Sequence, residues 1–120
     1  MTEYQLGAVE TRFAAIIWDN APLSSMELTR LALQQLGWKK STTYTVLKRL
    51  CDKGLFVNNG GTVEVLVSRQ EFFALQSHRF VEETFDGSLP AFLAAFTTRK
   101  KLTADEVAQL RRMVDSYEEG

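Results

Sequence analysis

Apolar side chains recur every three or four residues along most of the chain, the spacing that places them on one face of an α-helix. This pattern predicts a first helix from about residue 5 to Asp19, a second helix capped by Ser24 and Glu27, and a third helix over residues 38–54. Only a few residues, including Gly37, separate the second helix from the third. A helix, a short turn and another helix are the arrangement of a helix-turn-helix motif.

The apolar period shortens to two residues after Gly54, which predicts β-structure. Residues 55–57 and 63–67 are the expected strands. The Asn-Asn-Gly-Gly sequence at 58–61 predicts a tight turn, because Asn and Gly tolerate positive φ. Three helices followed by a β-hairpin are the element order of a winged helix, with the hairpin as the wing. A separate hairpin packed on a helical domain has the same order, and the two differ in what the hairpin contacts.

Residues 69–120 predict three further helices that are rich in Phe and Leu. Capping boxes mark helix starts at Ser68 and Thr103, because each hydroxyl is followed three residues later by Glu. Ser88 is the expected cap of a short helix between them. The polar and basic segment 97–102 is predicted to be a loop.

About fifty residues rarely bury enough apolar surface to be stable alone. We therefore expect the C-terminal helices to pack on a second copy of the chain, since two-fold homodimers are the commonest assemblies. The alternative is that they fold back on the first domain. The residues expected at the dimer interface are Phe72, Phe80, Phe92, Phe96, Val107, Leu110 and Val114. The predicted fold class is mainly α with a small β-hairpin: a winged helix-turn-helix domain over residues 1–68 and a helical dimerisation region over residues 69–120.

The third predicted helix has two chemically different sides. One side is apolar, and the opposite side carries hydroxyls and cations, which suit base edges and phosphates in a DNA major groove. Ser41 or Thr42 is the expected N-cap, and Gly54 is placed to end the helix in the left-handed conformation. An ordinary amphipathic surface helix would show the same pattern. The residues expected to contact DNA are Lys39, Lys40, Ser41, Thr42, Tyr44, Thr45, Lys48, Arg49 and Lys53.

Positive charge is concentrated on this helix. The chain of 120 residues has a net charge of −1, with 14 Lys and Arg against 15 Asp and Glu. Residues 38–54 carry five cations against one acid, Asp52, a local net charge of +4. A basic patch on a nearly neutral protein is typical of a sequence-specific DNA-binding protein.

The residues that most enzymes and metal sites need are scarce. One Cys and one His cannot supply the three or four ligands of a zinc site, and no phosphate-binding loop or nucleophile elbow occurs. We expect no cofactor, no metal and no enzymatic activity, with Cys51 a small core residue and His78 solvated. A single Cys fits a reducing compartment. No run of 18 apolar residues and no secretory signal are found, so a cytoplasmic protein without direct membrane binding is expected.

Several short motifs resemble the penicillinase and methicillinase repressor family, which also includes copper-responsive repressors. The matching residues are Glu10, Trp18, Pro22-Leu23, Gly37-Trp38, Thr42, Thr45, Leu47, Arg49-Leu50, Lys53-Gly54 and Gly87-Ser88. The resemblance runs from about Leu6 to Tyr117. It implies a homodimeric winged-helix transcriptional repressor that binds a two-fold-symmetric DNA operator of a β-lactam-response or related operon. Thr42, Thr45 and Arg49 occupy family-like positions on the recognition helix.

The resemblance also implies a regulatory route. The β-lactam-responsive members are released from DNA by proteolysis in the C-terminal region, which a membrane sensor triggers. Ala95-Phe96 stands where the proteolysed members have Asn-Phe, so a proteolytic switch at Ala95 and Phe96 is a hypothesis from position. A short helix that runs into the polar segment 97–102 would favour local opening at this place.

Two features depart from the family pattern. The predicted wing carries no Lys or Arg before Arg69, whereas the family's wings are usually basic, and the cysteine-rich tail of the copper-sensing members is absent. A wing without positive charge favours an alternative function, a winged-helix module that mediates protein–protein contact without specific DNA binding. The basic third helix favours DNA.

Overall fold

Three helices and a β-hairpin follow one another in the predicted order. The computed structural model describes residues 6–117, which form two compact units that divide after residue 78. The elements of the first unit are α1 (Ala8–Asn20), β1 (Leu23–Ser24), α2 (Ser25–Leu36), α3 (Lys40–Asp52), β2 (Phe56–Asn59), β3 (Thr62–Val65) and the beginning of α4 (Arg69–Phe85). The second unit holds the rest of α4, α5 (Leu89–Arg99) and α6 (Ala104–Ser116). The predicted fold class, a winged helix domain followed by C-terminal helices, is confirmed.

Side-chain caps fix most of the helix starts. The hydroxyl of Ser24 accepts a hydrogen bond from the backbone N–H of Glu27 at 3.0 Å, as predicted. The carboxylate of Glu27 pairs with Arg30 on the next turn, so the expected return bond to the cap is replaced by an ion pair. The capping boxes predicted at Ser68 and Thr103 both form.

The hairpin is tighter than predicted and belongs to a three-stranded antiparallel sheet of order β1-β3-β2. Phe56 pairs with Val65, and Asn59 pairs with Thr62. The turn between them takes positive φ at both of its glycines. Strand β1 is not predicted from the sequence. It is two residues long and is defined by its pairing with β3.

One face of the hairpin lies in the core of the first unit. Phe56 and Val63 are fully buried together with Phe13 of α1, Leu28 of α2 and Leu50 of α3. The tip of the hairpin is exposed. Because one face of the hairpin is part of the same core as the three helices, the hairpin is the wing of a winged helix and not a separate element.

Trp18 connects α1 to the end of the wing and to the start of α4. Its indole N–H donates to the carbonyl of Val67 at 3.0 Å. Its ring lies 5.5 Å from Phe56, 5.4 Å from Phe72 and 6.2 Å from Phe73, measured between centroids. Phe72 is fully buried in this cluster and has no surface to offer a partner chain, contrary to the expectation from the sequence.

The fifth helix is longer than predicted. Helix α5 continues through Thr97 and Thr98 to Arg99, so the predicted loop at 97–102 is shorter. The hydroxyls of Thr97 and Thr98 donate back to the carbonyls of Leu93 and Ala94 at 2.9 and 3.0 Å. These bonds satisfy the two threonine hydroxyls inside the helix. The polar residues at 97–99 therefore do not end the helix, contrary to the prediction from their polarity.

Replacing Phe72 tests its assignment to the core of the first unit. We expect Phe72→Ala to lower the free energy of unfolding by about 3–5 kcal/mol, the usual loss for truncating a buried Phe. Phe73→Ala is the matched control with a smaller expected loss, because Phe73 is 43% exposed. Urea unfolding followed by tryptophan fluorescence measures both. Equal losses for the two variants would contradict the assignment.

Candidate nucleic-acid interface

Helix α3 turns an apolar face to the core and a polar face to solvent. Its buried residues are Thr43, Val46, Leu47 and Leu50. The residues of its outer strip are exposed, as the sequence predicts: Ser41, Thr42, Thr45, Lys48 and Arg49. A strip of hydroxyls and cations on an exposed helix matches the donor and acceptor groups of base edges and phosphates.

The N-cap of α3 lies before the predicted one, Ser41 or Thr42. Its N-cap is Lys39, without a side-chain cap, so Ser41 and Thr42 lie inside the first turn and not at the cap. The preceding segment fixes this start, because Gly37 takes a left-handed φ of 70° and Trp38 packs against α1. Both hydroxyls are therefore part of the exposed strip.

Positive potential is concentrated at the beginning of α3. Lys39 and Lys40 are exposed, and the first turn contains no acidic residue. The N-terminal end of a helix carries a partial positive charge from its aligned peptide dipoles. The two lysines and this helix end together suit a negatively charged group such as a DNA phosphate.

The cations further along α3 have partners within the chain. Lys48 lies 3.2 Å from the carboxylate of Asp52, with both side chains largely exposed. Arg49 donates to the carboxylate of Glu10 on α1 at 2.8 Å and remains half exposed. The hydrogen bond from Arg49 holds the pKa of Glu10 below its ordinary value, and the charge of Lys53 acts in the same direction. Sequence reasoning misses the partner of Arg49, because Glu10 is 39 positions away.

Tyr44 stands apart from the rest of the predicted DNA-contacting set. Its side chain is half-buried, and its hydroxyl donates to the hydroxyl of Ser25 at the start of α2 at 3.1 Å. The ammonium of Lys40 lies 6.0 Å from the centre of its ring. Tyr44 therefore joins the two helices of the helix-turn-helix motif.

The wing offers little positive charge. Residues 56–68 contain one charged side chain, that of Glu64. Arg69, the first cation after the wing, donates to the carbonyl of Ala15 and the carboxylate of Asp19 and lies over the Trp18 ring. The cation nearest to the wing in sequence thus serves the packing of α4 on α1.

Cys51 and His78 occupy ordinary environments. Cys51 is partly buried, and burial raises the pKa of its thiol, which keeps the thiol protonated at neutral pH. His78 is exposed on α4. Within residues 6–117, no cluster of three or more His, Cys, Asp or Glu side chains could hold a metal ion.

None of the helices in residues 6–117 has the length and apolar character needed to cross a membrane.

The second unit exposes much apolar surface. Phe80, Phe85, Phe92 and Phe96 form a chain of ring contacts with centroids 5.7–6.0 Å apart. None of residues 79–117 is buried. The remaining predicted interface residues, Val107, Leu110 and Val114, lie on α6, with Val114 72% exposed. Phe92, Phe96 and Leu110 border an open groove of about 230 Å³ between α5 and α6.

Ala95 and Phe96 lie in the middle of α5. Both are exposed, but the helix continues for three residues beyond Phe96. The peptide bond between Ala95 and Phe96 therefore does not lie next to a helix end, contrary to the prediction. Proteolysis at Ala95–Phe96 stays a prediction from position, and it requires a helical turn to open first.

The three helices and the β-hairpin define the winged-helix class of protein. Residues 6–116 match the family model described as "Penicillinase repressor", so the chain belongs to the penicillinase repressor family. The penicillinase repressor of Bacillus licheniformis is 22% identical over 117 residues, which cover 94% of this chain and 91% of that protein. Membership confirms the resemblance seen in the sequence and gives the protein the role of a transcriptional repressor.

The ion pair between Glu10 and Arg49 predicts a pH dependence of stability. Because the folded-state pKa of Glu10 lies below its ordinary value of 4.5, its contribution is present above that pH and is lost as the pH falls through the folded-state pKa. We expect Glu10→Gln to be less stable than the parent at pH 7, by about 0.5–1 kcal/mol for a partly exposed pair.

Urea unfolding of the two proteins between pH 7 and about pH 3 measures this difference, which should shrink in acid. Gln can still accept the hydrogen bond that the Glu10 side chain takes from the backbone of Gly7. Arg49→Gln, which removes the other partner, should give the same convergence. Stability curves that stay parallel throughout would show that the pair contributes nothing.

Proposed function

We propose that the protein is a homodimeric repressor that binds a two-fold-symmetric DNA operator, with α3 of each protomer in a major groove. The observation that carries the proposal is the exposed strip of α3, in which three hydroxyls, of Ser41, Thr42 and Thr45, lie beside Lys48 and Arg49. Hydroxyls pair with base edges or phosphates, and Lys and Arg are the usual partners of guanine and phosphate. Lys39 and Lys40 would take phosphates at the N-terminal end of the helix.

The proposed dimer forms through the second unit. Residues 79–117 include six apolar or aromatic side chains that are at least 44% exposed: Phe80, Leu89, Phe96, Met113, Val114 and Tyr117. A concentration of such residues on one small unit is typical of an interface. Two copies related by a two-fold axis would cover this surface and present two α3 helices to a symmetric operator.

We further propose that the operator belongs to a β-lactam-response or related operon, and that a membrane sensor or its protease releases the repressor. Family membership and the relative named as a penicillinase repressor support this assignment. The gene neighbourhood would test it, because a membrane protein of the metalloprotease type encoded beside this chain would supply the sensor.

A protein–protein module is the second candidate, and the wing favours it. Residues 56–68 carry no cation, so the wing has no side chain for a salt bridge to phosphate. The two functions differ in their response to salt. DNA binding through cations releases counterions and weakens steeply as salt rises, whereas the protein-binding module would show no such duplex binding.

Substitutions on α3 test its proposed base and phosphate contacts. We expect Lys48→Ala or Thr45→Ala to cost about 1–3 kcal/mol against the preferred duplex and to relax its specificity at one position. Lys39→Ala should weaken all duplexes alike and reduce the salt slope by roughly 0.9. Fluorescence anisotropy with a duplex enriched from a random library measures both effects.

Lys101→Ala is the matched control, since it removes the same charge from an exposed position outside α3. It should leave the affinity and the salt slope close to those of the parent. Parent-like binding by both the Lys48 and the Thr45 variants would show that another face of the domain meets the groove.

A charge on the apolar surface of the second unit tests the proposed dimer. Val114 is 72% exposed, so Val114→Asp places its charge in solvent in an isolated protomer and in an apolar contact in the proposed dimer. We expect the variant to keep its helix content but to sediment as a monomer at tens of micromolar, because an unpaired charge is strongly disfavoured in an apolar interface. DNA affinity should fall with it, since two linked half-site contacts become one.

Gln70→Glu adds the same charge at an exposed position on α4 and should leave assembly unchanged. Analytical ultracentrifugation compares the parent with both variants. A parent protein that is monomeric at tens of micromolar would overturn the dimer, and a dimeric Val114→Asp variant would remove Val114 from its interface.

A further inference from the structure

We propose that Tyr44 and Ser25 are a positioning pair: Tyr44 supports DNA recognition by fixing α3 to the start of α2 and to the wing turn, and it does not itself contact DNA. The inference rests on the proposed function, and it reassigns one residue of the predicted DNA-contacting set. It also gives the wing of this chain a role that needs no positive charge.

Ser25 is hydrogen-bonded both to α3 and to the wing turn. Its hydroxyl accepts from the hydroxyl of Tyr44 at 3.1 Å. Its backbone N–H donates to the carbonyl of Gly61 in the wing turn at 2.8 Å. A continuous path of contacts therefore leads from the recognition helix through the first residue of α2 to the tip of the wing.

The position of Ser25 is fixed by the elements on both sides of it. The preceding residue, Ser24, caps α2 through its side chain and pairs with Thr62 of β3. Leu23 pairs with Val63, which is fully buried in the core. Because the backbone around Ser25 is anchored to the sheet, the Ser25 hydroxyl is a fixed point against which α3 can be oriented.

The geometry of Tyr44 argues against a direct phosphate contact. A tyrosine hydroxyl has one hydrogen to donate, and phosphate oxygens only accept. The Tyr44 hydroxyl is part-buried and bonded to the Ser25 hydroxyl at 3.1 Å. A phosphate would therefore have to compete with Ser25 for it. The neighbouring Thr45 and Lys48, by contrast, are exposed on the outer strip of α3.

The neutral wing gives such an internal contact more weight. A wing with cations would fix the angle of the domain on DNA by binding a second stretch of backbone. Residues 56–68 have no cation for this purpose, so the orientation of α3 depends on contacts inside the protein. A recognition helix that is held in place before binding loses less conformational freedom when it binds.

A double-mutant cycle tests the pair on the full chain. Tyr44→Phe removes the donor but keeps the ring beside Lys40, and Ser25→Ala removes the acceptor but keeps the backbone N–H that bonds to Gly61. The affinities of the parent, both single variants and the double variant are measured against a duplex enriched from a random library by the parent. An unrelated duplex of equal length is measured beside it.

We expect each single variant to bind the enriched duplex about 3- to 10-fold more weakly, the range of one net hydrogen bond. The double variant should be no weaker than Tyr44→Phe alone, because that change already removes the bond to Ser25. Binding to the unrelated duplex and the salt slope should not change, since no phosphate contact is lost. Ser25→Thr, which keeps a hydroxyl at this position, should bind with the parent affinity, unlike Ser25→Ala. All assays are run well below the melting temperature of each variant, which separates positioning from unfolding.

Losses that multiply in the double variant would overturn the inference, because they would mean that Tyr44 acts on DNA without Ser25. Parent-like affinity of Tyr44→Phe would overturn it as well. Both outcomes leave the proposed function intact, since the parent still selects a duplex. A parent protein that enriches no duplex would overturn the proposed function, and the inference with it.

Discussion

The packing of Trp18 is the contact on which the first unit depends. The indole N–H donates to the carbonyl of Val67, where the wing ends. The indole ring packs against Phe56 of the wing and Phe72 of α4. A large aromatic residue with a satisfied polar atom can hold several elements at once, because it combines a large buried area with one directional bond. The guanidinium of Arg69 lies over the same ring and ties the start of α4 to α1. These contacts fix the path of the chain from the wing into α4.

A second aromatic contact fixes the start of α3. Trp38 stands directly before α3 and packs on Phe13 of α1 with ring centroids 5.0 Å apart. The ion pair between Arg49 and Glu10 holds the later turns of α3 to the same helix, and Tyr44 holds its first half to α2. Helix α3 is therefore held at three points along its length, and its exposed strip has a defined direction before any DNA is present. Such preorganisation reduces the conformational entropy lost on binding.

The elements that sequence reasoning located are those whose signals are local. Capping hydroxyls, the helical apolar period and the glycine turn after Asn59 act within a few residues, so α1 to α3 and the hairpin were predictable. Strand β1 was not, because two residues become a strand only by pairing with β3. Phe72 gave the same apolar signal as Phe80, but in the fold Phe72 packs on Trp18 and is fully buried, whereas Phe80 is half exposed. The partners of Arg49 and Tyr44 are likewise set by the tertiary fold, 39 and 19 positions away.

On the proposed function, the distribution of charge on α3 explains how a nearly neutral protein can bind DNA. The cations at its N-terminal end, Lys39 and Lys40, are exposed, whereas Lys48 and Arg49 each have an acidic neighbour. An exposed ion pair is weak and exchanges its partners readily, since its net contribution in water is about 0–1 kcal/mol. Phosphate or a base edge can therefore compete with Asp52 for Lys48 at small cost, but the acid still lowers the attraction to DNA of any sequence. In the proposed complex, such an arrangement would weaken binding to any duplex more than binding to a site whose base edges match the hydroxyls of α3, which would favour specificity over affinity.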